Sequence, residues 1–92
     1  MKKEDLLLKV FRKCYYISTH SKCDVFFDYS PHCNFYSVYY YKEGWGVSKN
    51  PVYLHRIKGD VDDTITIDNL TRTYQELNKL WELIEENNLK KN

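Results

Sequence analysis

The sequence predicts an α+β domain, a three- to four-stranded antiparallel sheet flanked by the N-terminal and C-terminal helices in the order α-β-β-β-(β)-α. Three observations predict it. Apolar residues recur with helical spacing at both ends of the chain, and two-residue alternation broken by turn signals fills the middle. That middle is also dense in aromatics: Phe26, Phe27, Tyr29, Phe35, Tyr36, Tyr39, Tyr40, Tyr41 and Trp45 all fall between Cys23 and Gly46.

The first helix is read from Leu7, Val10, Phe11, Cys14 and Ile17, which share one face, while Lys9, Arg12 and Lys13 take the other. Glu4 and Asp5 sit in the first turn, where negative charge favours the helix dipole. Tyr15, Tyr16, Ile17 and Thr19 are poorer helix formers, so fraying is expected between Tyr16 and His20.

Strand one covers Cys23 to Tyr29. Cys23, Val25, Phe27 and Tyr29 share a face, and Asp24, Phe26 and Asp28 make the other face wet. Ser30-Pro31-His32 is a turn, because proline cannot continue the ladder. Strand two runs from about Asn34 to Lys42, with Phe35, Ser37, Tyr39 and Tyr41 on one face and Tyr36, Val38 and Tyr40 on the other. Both faces are aromatic, so polarity does not choose the inward set. Glu43-Gly44-Trp45-Gly46 forms a loop that continues through Ser48-Lys49-Asn50-Pro51. Strand three follows from Val52 to Ile57, and a short fourth strand is expected over Thr64 to Ile67. The last helix is placed over Leu70 to Asn87 on the stripe Leu70, Tyr74, Leu77, Trp81 and Ile84, widened by Leu80 and Leu83. Asp68 or Asn69 is its expected cap, with Thr73 and Glu76 at capping-box spacing one turn later. Packing both helices on one face of the meander leaves the other face open.

At 92 residues the chain is a single domain, residues 1–92, of a size that presents a surface more readily than it encloses a cleft. Fourteen Lys and Arg against thirteen Asp and Glu give a net charge of +1, without the basic excess of a duplex-DNA binder. No apolar run is long enough to span a membrane, and the charges Lys9, Arg12 and Lys13 interrupt any leader-like opening. Cys14, Cys23 and Cys33 are odd in number and lack a disulfide spacing, which suggests reduced thiols in the cytoplasm of a bacterial host cell. The absence of alanine and the wealth of Lys, Asn, Tyr and Ile suggest an AT-rich coding genome, as in a low-GC bacterium or its phages.

Four chemistries compete for the candidate residues. His20, Cys23, His32 and Cys33 supply possible zinc ligands if the Pro31 turn joins the two pairs, but the spacing is irregular and a cysteine in a small sheet is ordinarily a buried hydrophobe. Cys23 or Cys33 could act as a nucleophile with His20, His32 or His55 as base, yet no oxyanion hole, phosphate loop or paired-carboxylate motif accompanies them. Asp60, Asp62 and Asp63 lack the spacing of a calcium loop. The expectation is therefore a non-enzymatic protein without metal or other cofactor. A third reading stacks unpaired bases on Tyr36, Tyr40 and Tyr53, with His55, Arg56 and Lys58 near the nucleic-acid backbone. The fourth, protein binding, fits more of the features, because Tyr and Trp dominate interface hot spots and Trp45 stands between glycines. Tyr36, Tyr40, Trp45, Tyr53 and Arg56 are the expected partner contacts. The bland alternatives are a Trp45 folded back over the sheet edge and a homodimer seam of tyrosines.

The stretch Tyr29-Ser30-Pro31-His32-Cys33-Asn34, the tyrosine-rich strand after it and Gly44-Trp45 resemble a pattern in small uncharacterised proteins of Gram-positive phages and prophages. The resemblance spans about Cys23 to Ile57 and the final helix. It implies an accessory protein of a mobile element, a class that includes inhibitors of host enzymes and of antiphage defences such as CRISPR nucleases. The expected function is binding and blocking a host or defence protein; the alternative is a single-stranded nucleic-acid binder on the tyrosine platform.

Overall fold

A computed structural model describes residues 3–32, 35–46, 50–58, 63–88 and 90, with backbone alone at 55–58 and 63–64. The elements are α1 (Lys3–His20), β1 (Asp24–Ser30), β2 (Phe35–Tyr41), β3 (Val52–Lys58) and α2 (Asp63–Glu86). The strands form an antiparallel meander in the order β1-β2-β3, and the expected α+β arrangement holds.

Helix α1 buries Leu6, Val10, Cys14 and Ile17, a stripe rotated slightly from the expected one. Leu6 is buried in place of Leu7 at its start, and Phe11 stays exposed while its ring meets Phe27 edge-on, with centroids 6.4 Å apart. The helix does not fray after Tyr16. Ile17 is fully buried, and Ser18 Oγ accepts from the Val25 N–H at 2.9 Å and donates to the Val25 carbonyl at 3.2 Å. Thr19 Oγ1 bonds back to the Tyr15 and Tyr16 carbonyls. Tertiary contacts and local side-chain bonds outweigh the weak propensity of this turn.

The expected fourth strand is absent: residues 64–67 form the opening of α2, which starts at Asp63 rather than near Leu70. A run of β-branched residues favours a strand locally. Here Thr66, Leu70, Thr73, Leu77, Leu80 and Ile84 are all buried at alternating spacings of four and three, so the helical stripe begins a turn earlier than its leucines suggest. The threonine hydroxyls are accommodated inside the helix, with Thr71 Oγ1 donating to the Ile67 carbonyl and Thr73 Oγ1 to the Asn69 carbonyl, both at 2.8 Å. Thr73 is therefore an interior residue and not a cap.

Both helices cover one face of the sheet, α1 over β1 and α2 over β3. They run parallel, since Lys9 lies against Tyr74, Tyr16 against Trp81, and Ser21 bridges Lys90. Their buried stripes meet Cys23, Tyr36 and Val38, with Val25, Phe27, Tyr40 and Leu54 packed around them. Truncation of Leu77, fully buried in the core, to alanine should cost about 3 kcal/mol. Tyr53→Ala on the uncovered face should cost less than about 1 kcal/mol. Urea unfolding of the two variants checks the difference, and equal losses would contradict this assignment of core and surface.

Candidate functional site

The register decides which aromatics face outward. Val25 pairs with Tyr40, Phe27 with Val38 and Tyr29 with Tyr36, so these six share the helix-covered face. The expected placement of Tyr36 and Tyr40 on the open face is corrected: Tyr36 is only 9% exposed, and Tyr40 packs half-buried on the core. Burial raises the pKa of the Tyr40 hydroxyl. A one-residue change of register would have reversed this outcome, because side chains alternate with period two.

The open face instead carries Phe26 from β1, Tyr39 and Tyr41 from β2, and Tyr53 from β3. Phe26 stacks on Tyr39 with centroids 5.2 Å apart and planes 12° from parallel. Tyr39 meets Tyr53 at 5.1 Å, and Tyr41 closes edge-on against both Phe26 and Tyr39. The result is an aromatic band across all three strands. It passes over an irregularity in the β2–β3 pairing, where Val38 faces His55 and Tyr39 faces Tyr53.

Two carboxylates organise the band. Asp28 Oδ2 accepts the Tyr39 hydroxyl at 2.7 Å. This bond, with lesser help from desolvation and the negative charge of Asp28, pushes the Tyr39 hydroxyl up to about 12. Asp24 Oδ2 accepts the Trp45 backbone N–H at 2.8 Å, and Asp24 pairs with Tyr41, so the Trp45 loop is anchored at the Tyr41 end of the band. Gly44 and Gly46 take φ of +96° and +93° around it, a turn that suits residues without Cβ. Trp45 itself is 70% exposed. Tyr53 is about half exposed, and Arg56 pairs through its backbone with Ser37, its side chain lying outside the described residues. Of the five expected contact residues, Trp45 and Tyr53 thus belong to the exposed surface. Phe26, Tyr39 and Tyr41 are band members that sequence reasoning did not choose, although the alternation of strand two had already grouped Tyr39 with Tyr41.

The metal and nucleophile candidates are dispersed. His20 and Cys23 lie where β1 begins, whereas His32 follows its far end, a seven-residue strand or roughly 23 Å away. The Pro31 turn leads into β2 and does not fold His32 back to Cys23; Cys33 lies outside the described residues. No group of three or more His, Cys, Asp or Glu able to hold a metal ion occurs among the described residues. His20 Nδ1 is engaged by the Tyr16 carbonyl at 2.8 Å, and its ring stacks on Tyr16. Cys23 is fully buried, with Sγ 3.1 Å from the Lys42 carbonyl. Burial raises its pKa and pushes Cys14 up to about 12, the environment of inert rather than reactive thiols. His55 has no described side chain, and Asp60 and Asp62 lie outside the described residues.

Clefts border α1. An apolar one of about 410 Å³ is lined by Leu7, Leu8, Phe11, Phe27, Tyr29 and Tyr36 at the free edge of β1. Another, about 420 Å³, lies between α1 and α2 and is lined by Lys9, Arg12, Lys13, Tyr16, Tyr74 and Trp81. No helix among the described residues is long and apolar enough to cross a membrane. Comparison with protein-family models, curated proteins and solved structures returned no match.

Two measurements test this geometry. In the folded state the neutral Tyr39 phenol is favoured, its pKa lying at about 12 against 10 when unperturbed. The contribution of its bond to Asp28 is therefore complete below pH 10 and lost as the pH rises through 12. Ultraviolet titration should show one phenol ionising near pH 12, returning toward about 10 in Asp28→Ala. Cys14 and Cys23 should resist an aromatic disulfide reagent in the native protein and react once urea unfolds it; fast native labelling of either would contradict their burial.

Proposed function

We propose that this protein acts by binding a protein partner through the open sheet face. The contact surface is the band Phe26, Tyr39, Tyr41 and Tyr53, with Trp45 at its end. The observation that carries the reading is a continuous aromatic band on a face with no helix over it. Tyr and Trp provide large, rigid contact area at low entropic cost, with polar tips that remain soluble when unbound. The carboxylates of Asp24 and Asp28 hold parts of this surface in place before a partner arrives, which lowers the ordering cost of association.

The same face suits nucleic acid less well. Phe26 and Tyr39 turn their ring faces toward each other, so a base would have to displace a ring already stacked. Asp24 and Asp28 also place negative charge where a phosphate backbone would run. The form of action in keeping with the phage-protein resemblance is stoichiometric inhibition of a host or antiphage-defence protein, including a CRISPR nuclease.

Trp45→Ala and Tyr53→Ala, combined, should reduce recovery of the partner from host lysate at least tenfold, while Tyr15→Ala on the far side of α1 leaves it unchanged. A double hot-spot loss of this size corresponds to about 2–4 kcal/mol. Capture should change little between low and moderate salt, as expected of an aromatic interface. Undiminished recovery by the double variant would remove the open face as the binding surface. Light scattering on the purified chain would show whether the partner is a second copy.

A further inference from the structure

Three cations of this nearly neutral chain, Lys9, Arg12 and Lys13, meet at a cleft on the side opposite the aromatic band. Lys9, Lys13, Tyr16 and His20 follow one another along the flank of α1 that faces α2, with Arg12 at the crest. Tyr74 and Trp81 of α2 complete the cleft. It is lined by three cations and three aromatic rings, with no carboxylate among its lining residues. Among the described residues none of Lys9, Arg12 and Lys13 is ion-paired, and Glu85 at the far end is already bound by Lys90 at 3.0 Å. Asp5 lines a smaller neighbouring hollow that shares Lys9 and Arg12 with the cleft.

The ammonium groups rest on ring faces. Lys9 Nζ lies 4.9 Å from the centroid of Tyr74, and Lys13 Nζ lies 5.6 Å from that of Tyr16. Tyr16 in turn meets Trp81 edge-on at 5.1 Å. Cations held over rings in this way keep their charge while part of their solvation is replaced by the π cloud. From Lys9 to Lys13 the cations span four residues, about 6 Å of helix. Cations this close together and interleaved with rings match phosphates joined to planar bases better than a bare ion.

We infer that the cleft between α1 and α2 binds single-stranded nucleic acid, with Lys9, Arg12 and Lys13 on its phosphates and the rings of Tyr16, Tyr74 and Trp81 beside its bases. Interleaved cations and aromatics are the chemistry such grooves use. On binding, each lysine exchanges a ring face for a phosphate oxygen, and the vacated face becomes available to a base. The site is independent of the open sheet face, from which it is separated by the sheet and the helix layer.

The test uses the full chain and a fluorescein-labelled oligothymidylate of about twelve nucleotides, followed by anisotropy. Binding at about 50 mM salt should weaken with a log–log salt slope near −2, the value for three phosphate contacts on a single strand. The variant K9Q/R12Q/K13Q, whose changes lie at the rim of the cleft, should lose at least tenfold in affinity and most of that slope. Tyr53→Ala on the open face should bind as the parent does. In a Trp45→Phe background, quenching of Trp81 fluorescence should accompany binding. The inference is overturned if no binding occurs at about 50 mM salt, if the triple variant binds equally well with an unchanged circular dichroism spectrum, or if thymidine monophosphate or a polyglutamate of equal charge competes as effectively as the oligonucleotide.

Discussion

The arrangement of both faces depends on how α1 is joined to β1. Ser18 engages the N–H and the carbonyl of Val25 with one hydroxyl, which locks the end of the helix against the start of the strand. Within the connection, Ser21 Oγ donates to the Ile17 carbonyl at 2.6 Å and accepts from the Cys23 N–H at 3.1 Å, while Cys23 Sγ reaches the Lys42 carbonyl. Ser21 and Cys23 have no exposed surface, so these bonds are made where water cannot replace them. Together they set the parity of β1. Had the strand entered one residue out of phase, Asp24 and Asp28 would face the helices and Phe27 would face water. Pairing transmits that parity to β2, and through β2 to β3. The identity of the outward aromatics is therefore settled by two serines and a cysteine that carry no functional chemistry of their own.

Once parity is set, the helices can satisfy only one face. Their stripes bury Val38 completely and Tyr36 almost so, and the remaining aromatics are left to satisfy one another. On the open face they do so by cross-strand stacking, the sheet's counterpart of helix side-chain pairs. Such a band stabilises the meander while remaining partly wet. The same side chains can thus serve the fold and a partner, and a binding role costs the domain little of its small core.

Much of this was legible in the residues, and the failures have distinct physical origins. Asp24 and Asp28 mark the wet face of β1 correctly because a carboxylate is costly to bury without a partner. No such marker exists on β2, where tyrosines occupy both parities, and tyrosine is compatible with either environment. The choice of Tyr36 and Tyr40 was decided by register, a long-range property that local pattern does not contain. Thr64 to Ile67 misled for a related reason: β-branched residues favour strands, but Thr66 and Thr73 extend a helical stripe that the eye reads as beginning at Leu70. At Trp45 the flanking glycines did report an exposed turn, because positive φ is a local requirement. The basic cleft escaped notice because its cations come from one helix and Tyr74 and Trp81 from another, separated by the whole sheet in sequence.

The two surfaces differ in chemistry and in place. The aromatic band lies on the uncovered face of the sheet and the cleft lies between the helices that cover the other face, so the two are on opposite sides of the layered fold. Asp24 and Asp28 serve the band, whereas Lys9, Arg12 and Lys13 border the cleft. A charge total near zero thus does not make the two sides alike, since one presents carboxylates beside rings and the other ammonium and guanidinium groups. Each side is therefore met by an approaching partner largely on its own terms, and a ligand on one leaves the other sterically open.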